Sequence, residues 1–220
     1  MRGLFVIIIV FSINNLMGQE VEAFLGANNN IFHDYNNNEG HFRSVYTSDY
    51  GFSGGLALDN IKFDWLTLRF TLQFDNYKGK LNVSDGGLGG DNKTIANTDK
   101  SVISLGVFPI NCQILKRINL NFGFIISRLI NESFDGTISG WAINQPNYTY
   151  NLQDKYTRIS TLTYLGLQGR IAYDFKISKS LIISPQYIYY FGLSNEFAIF
   201  PETTKSMRHY FSIGIKRSIK

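Results

Sequence analysis

Three histidines, one cysteine and a scatter of carboxylates are the side chains of this 220-residue chain that could do chemistry. His33 and Asp34 are adjacent, and His41, Ser44 and Ser48 follow within the polar stretch DYNNNEGHFRSVYT. A histidine held by a carboxylate beside a serine is the constellation of acyl transfer. It needs rigid placement, which an Asn-rich loop does not supply. An outward histidine with a serine two residues on would suit acyl hydrolysis of a membrane lipid, but Phe211 follows His209 at that distance. Asp85, Asp91 and Asp99 are oxygen donors without the tight spacing of a calcium loop. The Gly-rich DGGLGG at 85–90 is followed by no Lys-Ser/Thr and opens no helix, so it is not a phosphate loop. No catalytic residue, cofactor or metal site is assigned.

The charges carry a clearer pattern. In LTLRFTLQFD, residues 66–75, Leu66, Leu68, Phe70, Leu72 and Phe74 share one face of a strand, while Arg69 and Asp75 lie on the other. Eight such runs are expected, at roughly 20–32, 48–59, 66–78, 100–109, 117–130, 159–175, 180–193 and 206–219. Their connections alternate in length. Long polar loops are expected at 34–47, 79–99 and 131–158 and a medium one at 194–205, with short turns at 60–65, 110–116 and 176–179. That sorting is the mark of an up-and-down barrel with loops at one end and turns at the other.

Two further features place the apolar face against lipid. The polar faces are rich in glycine (Gly26, Gly51, Gly55, Gly106, Gly123, Gly166, Gly192 and Gly214), which suits an eight-stranded interior just wide enough for side chains. Aromatics gather at the ends of the apolar faces: Tyr50, Phe52, Phe74, Tyr189 and Phe191 at the loop end, Tyr173 and Phe175 at the turn end. The expected fold is all-β, an eight-stranded antiparallel up-and-down transmembrane β-barrel. Glu22, Asp59, Arg69, Asp75, Arg170, Asp174 and Lys216 then face the lumen. Both signs are present in similar number, so the lumen should be a plug of paired charges.

The first residues, MRGLFVIIIVFSINNLMG, have the basic start, apolar run of eight and small residue of a secretory signal peptide. The expected division is 1–18 signal peptide and 19–220 barrel. With Cys112 alone, no disulfide framework holds the exported chain. The formal charge of +4 is too mild for a nucleic-acid partner.

A mature chain of about 200 residues starting near Gln19, eight alternating strands with inward glycines, and the final strand HYFSIGIK resemble the PorT-like outer-membrane β-barrel family. The resemblance covers 19–220 and implies a Gram-negative outer-membrane location, with a link to protein secretion through the family's founding member. It carries over no functional residue. The expected partners are outer-membrane lipid and a protein or glycan at the surface loops, with the barrel monomeric. Phe134, Trp141, Tyr148, Tyr150 and Tyr156, interleaved with Asn, Ser, Gly and Gln in the third loop, are the contact candidates. The expected function is non-enzymatic: structural, docking or secretion-accessory. The alternative is a narrow passive pore for ions or small solutes, with a lipid-modifying enzyme a distant third.

Overall fold

The alternating runs form one antiparallel ladder that closes on itself. The computed structural model describes residues 19–34, 42–63, 66–87, 89–199 and 203–218; the segment 1–18, expected as a signal peptide, and His41 lie outside them. The elements are β1 (Glu20–Asp34), β2 (Phe42–Phe63), β3 (Leu66–Gly87), β4 (Gly90–Ile114), β5 (Ile118–Ala142), β6 (Tyr148–Asn151), the single turn α1 (Leu152–Lys155), β7 (Thr163–Tyr173), β8 (Phe175–Lys176), β9 (Leu181–Gly192) and β10 (Thr204–Ser218). The wall runs β10–β1–β2–β3–β4–β5–β7–β9, and β9 pairs with β10 to complete the ring. This is an eight-stranded antiparallel barrel, as the sequence pattern requires. β8 continues β7 in the same register on β9, from Ala172 opposite Gln186 to Phe175 opposite Ile183. The break between them falls beside Pro185, which has no N–H to give the ladder.

Side chains sort by parity. On β3, Arg69, Thr71, Gln73 and Asp75 point inward and are buried, while Leu72 and Phe74 are exposed. Leu25, Leu56, Leu105, Phe124, Leu165 and Phe211 continue the exposed apolar belt around the ring. A continuous apolar girdle of this extent is stable only against an apolar solvent, here the bilayer. Its upper limit is sharp. On the outward face of β3, Asn76, Lys78 and Lys80 follow Phe74; on β4, Ser101, Asp99 and Asn97 lie beyond Ile103. Aromatic rings mark both borders, with Phe52 and Phe74 5.8 Å apart at the loop end and Tyr173 and Phe175 4.7 Å apart at the turn end.

Strand length is where the structure departs from the sequence reading. The segment 79–99, expected as a loop, is strand almost throughout: β3 runs to Gly87, β4 starts at Gly90, and the two stay in register to their tips. The start of the expected 131–158 loop is the upper half of β5, followed by the return strand β6 and α1. β2 begins at Phe42, ahead of the expected residue 48, and the expected 110–116 turn shrinks to Leu115–Arg117 because β4 continues to Ile114. The expected strand start at 159 moves to Thr163. Beyond the belt, β3 continues from Asn76 to Gly87, about 12 residues or some 40 Å of extended chain. Together, β2 to β5 stand above the membrane as a raised sheet.

Candidate functional site

The lumen is filled from the turn end upward by layers of charge. Barrel closure brings β1, β2, β3 and β7 around one carboxylate. Arg69 donates through Nη1 to Glu22 Oε2 at 2.8 Å and to Asp59, while Arg170 Nη2 donates to the same Glu22 oxygen at 3.0 Å. Arg170 also donates to Asn121 Oδ1 at 2.6 Å and to Gln186. Nearer the turns, Lys216 Nζ lies 2.8 Å from Asp174 Oδ1, and Ser184 and Asn119 donate to the same carboxylate. Asp75 does not pair with Arg69, its neighbour in sequence. It faces Arg208 of β10 at 3.6 Å and accepts from Gln73 at 2.7 Å and from Tyr210 at 3.3 Å. The Arg208 guanidinium sits between the Tyr77 and Tyr190 rings, 4.5 and 3.9 Å from their centroids. Tyrosine faces thus supply negative potential where hydrogen-bond acceptors run short.

The central groups are closed off from solvent. Glu22 is 0% exposed, and Arg69, Asp75 and Arg208 are each 1% exposed. The positions come from inward parity; the pairings come from closure, since Arg69 and Arg170 belong to strands far apart in the chain.

Above the charged layers the interior becomes apolar. Phe32, Tyr77, Leu81, Val102, Leu129, Tyr164 and Phe197 pack in one cluster. Phe197 arrives from the connection after β9, which folds down into the mouth. Its neighbour Glu196 accepts from Lys100 Nζ at 2.9 Å and from the Tyr77 hydroxyl at 2.8 Å, and Lys100 lies 4.1 Å over the Phe197 ring. The segment before β7 crosses it through a bridge between Ser160 and Phe197. Glu132 on β5 holds that segment by accepting from the Ile159 and Ser160 amides at 3.1 and 3.3 Å. Two connections interlock inside the barrel mouth, each tied to the wall by a carboxylate.

Lys100, Glu196 and Arg208 were missed among the expected lumen charges. Two were legible: Lys100 shares parity with inward Gly106, and Arg208 with inward Lys216. Glu196 lies in a connection, where no periodicity reports direction.

The five expected contact aromatics divide. Phe134, Tyr148 and Tyr156 are partly buried against the interior cluster. Trp141 and Tyr150 are 45% and 52% exposed. Tyr148 stacks on Tyr150 at 5.3 Å and donates its hydroxyl to Asn92. His33 is exposed on the outer face of β1, and His209 Nδ1 lies 2.6 Å from the Tyr187 hydroxyl at the belt's upper border.

No protein-family model matches the chain, and no curated protein matches it by sequence. Among solved structures it is similar to Neisserial surface protein A, with 14% identity, 92% of this chain and 97% of that one covered, and a TM-score of 0.40. It is similar to OprG from Pseudomonas aeruginosa, with 11% identity, 92% and 97% covered, and a TM-score of 0.38. It is also similar to Ail, the attachment invasion locus protein of Yersinia pestis, with 9% identity, 91% and 99% covered, and a TM-score of 0.36.

Proposed function

We propose that this chain is a non-enzymatic outer-membrane barrel of a Gram-negative cell, exported by a cleaved signal peptide at 1–18, with a closed lumen and a raised sheet that docks a partner outside the cell. The observation that carries the reading is the sheet itself. β2 to β5 stay paired far beyond the lipid belt, through register shifts between Ser48 and Phe52 on β2 and between Ser101 and Val102 on β4, and their inward face is stiffened by an apolar core. A rigid platform spends little ordering entropy when it binds. Trp141 and Tyr150 stand exposed on it. Both ends of the wall, Glu20 and Ser218, lie at the opposite, turn end, which supports a barrel whose turns face the periplasm. Burial of Glu22, Arg69, Asp75, Lys100, Arg170 and Arg208 supports a closed barrel over the pore. The secretion-accessory role implied by the PorT-like resemblance is one form of this docking role, and the barrel acts as a monomer in lipid.

Orientation and docking are tested together in a Cys112→Ser background. Asp135→Cys should react with a membrane-impermeant maleimide on intact cells, and Lys179→Cys only after permeabilisation. A photo-crosslinker at position 150 should then give a discrete adduct that one at position 179 does not. Reversed labelling, or identical adducts from both positions, overturns the reading.

A further inference from the structure

The structure assigns a seat for one anionic phospholipid at the seam where the barrel closes. It goes beyond the docking reading and uses none of the raised sheet. The end of β10, the start of β1 and the turn before β9 border a hollow of about 790 Å³ lined by Val21, Ala23, Lys179, Ser180, Ile215 and Arg217, within the ~300–1,000 Å³ range of ligand clefts. Its strand residues share one outward face: Ala23 lies opposite Ile215, and Val21 opposite Arg217. The rows explain the hollow. Phe175, Ile183, Ile215, Ala23 and Leu56 run side by side across β8, β9, β10, β1 and β2. Leu181, Arg217, Val21 and Leu58 form the next row toward the turns. Ala23 and Val21 are the shortest side chains in their rows, so the surface dips between their larger neighbours.

The chemistry changes along the hollow in the order of a lipid. Its belt side is aliphatic and continuous with the exposed side chains of Leu25, Leu56 and Ile213, which fits an acyl chain. Its turn side carries Arg217 and Lys179, both exposed. Among the described residues, these two cations make no hydrogen bond, ion pair or ring contact, and no carboxylate lines the hollow. Glu20 and Glu22 alternate with Val21 and Ala23 on β1 and so take the inward face. Two cations without counter-ions at the edge of the hydrocarbon attract a phosphate.

The turn is ordered before any lipid arrives. Ser178 Oγ accepts from the Ser180 and Leu181 amides at 3.3 and 3.2 Å. The Ser218 amide donates to the Ser180 carbonyl at 3.2 Å, which ties the turn carrying Lys179 to the end of β10 beside Arg217. A backbone fixed in advance lowers the entropy cost of binding. Charge selects within the lipids. A headgroup with net negative charge matches both cations, whereas a zwitterionic one brings its own ammonium against them. A sugar headgroup needs polar side chains around its ring, yet Leu181 and Leu58 close the row on either side of Arg217 and Val21.

Native mass spectrometry of the full mature protein, released from detergent micelles, counts bound lipid directly. The protein is titrated separately with phosphatidylglycerol, phosphatidylcholine and lipid A, a phosphorylated glycolipid. The expected result is a single phosphatidylglycerol adduct that saturates, with weaker binding of the other two. Lys179→Gln with Arg217→Gln should weaken it roughly 30-fold, as two cations at a membrane surface are lost. Lys62→Gln with Lys116→Gln removes the same charge from other turns and should leave the adduct nearly unchanged. Ala23→Leu fills the dip without altering charge and should also weaken binding. The gel mobility of the folded barrel confirms that each variant folds. Equal binding of phosphatidylglycerol and phosphatidylcholine, a preference for lipid A, or equal losses in the two double variants overturns the proposal. The docking reading is decided by the labelling and crosslinking at positions 135, 150 and 179, so the failure of one reading is distinct from the failure of the other.

Discussion

Replacing Glu22 by leucine tests whether the lumen is a dry electrostatic plug. The carboxylate is fully buried and serves two cations, Arg69 at 2.8 Å and Arg170 at 3.0 Å. Leucine removes the charge and leaves both guanidinium groups sharing what remains. Asp59 still pairs with Arg69, while Arg170 keeps only the neutral acceptors of Asn121 and Gln186. Two hydrogen bonds to charged groups are worth about 1.5–3 kcal/mol each, and stranding one partner of a buried pair costs about 3–5 kcal/mol. The two estimates converge on a loss of about 4 kcal/mol. Glu22→Gln, which keeps an acceptor but not the charge, should lose about half of that. Adding Arg170→Met to Glu22→Leu should restore about 1–3 kcal/mol, because the stranded charge is gone. The assay is equilibrium urea unfolding in vesicles, followed by intrinsic fluorescence and by the gel shift of the folded barrel. A loss below about 1 kcal/mol for Glu22→Leu would refute the reasoning, since pairs screened by water contribute only that much.

Phe122→Arg on the lipid face should cost about 2–4 kcal/mol in the same assay, whereas Asn97→Arg on the outward face of the raised sheet should stay within about 0.5 kcal/mol; equal costs would misplace the belt. Leu115 and Lys116 in the β4–β5 turn have φ of 53° and 58°, a left-handed pair that favours Gly or Asn, so Lys116→Gly should stabilise the barrel by about 1 kcal/mol, read as a raised urea midpoint. Glu196→Ala frees Lys100 and Tyr77 and should speed amide exchange across 194–199 while leaving β9 protected, as measured by mass spectrometry. The wild-type protein in planar bilayers should give no steady current, and a stable ohmic conductance would contradict the packed lumen.

Period-2 alternation is a local property, and by itself it determined that the strands exist and which residues share a face; the glycines of the polar faces and the aromatic borders, read over the whole chain, assigned one face to lumen and the other to lipid. LTLRFTLQFD places Arg69 and Asp75 on one face without reference to any other strand. Strand ends and charge pairs are not local. The segment 79–99 reads as a loop because Gly, Asn and Asp disfavour strands, yet Leu81, Val83 and Ala96 within it point inward to the apolar cluster, and pairing between β3 and β4 outweighs the weak propensity. The alternation in KLNV was the legible part of that extension. Glu22 meets Arg69 and Arg170 only because the ring closes, and one step of register would send each of them to the opposite face. The mouth was decided by the fold alone. Glu196 and Phe197 lie in a connection with no periodicity, and they turn inward because the cluster above the charged layers offers Phe197 burial and offers Glu196 the ammonium of Lys100.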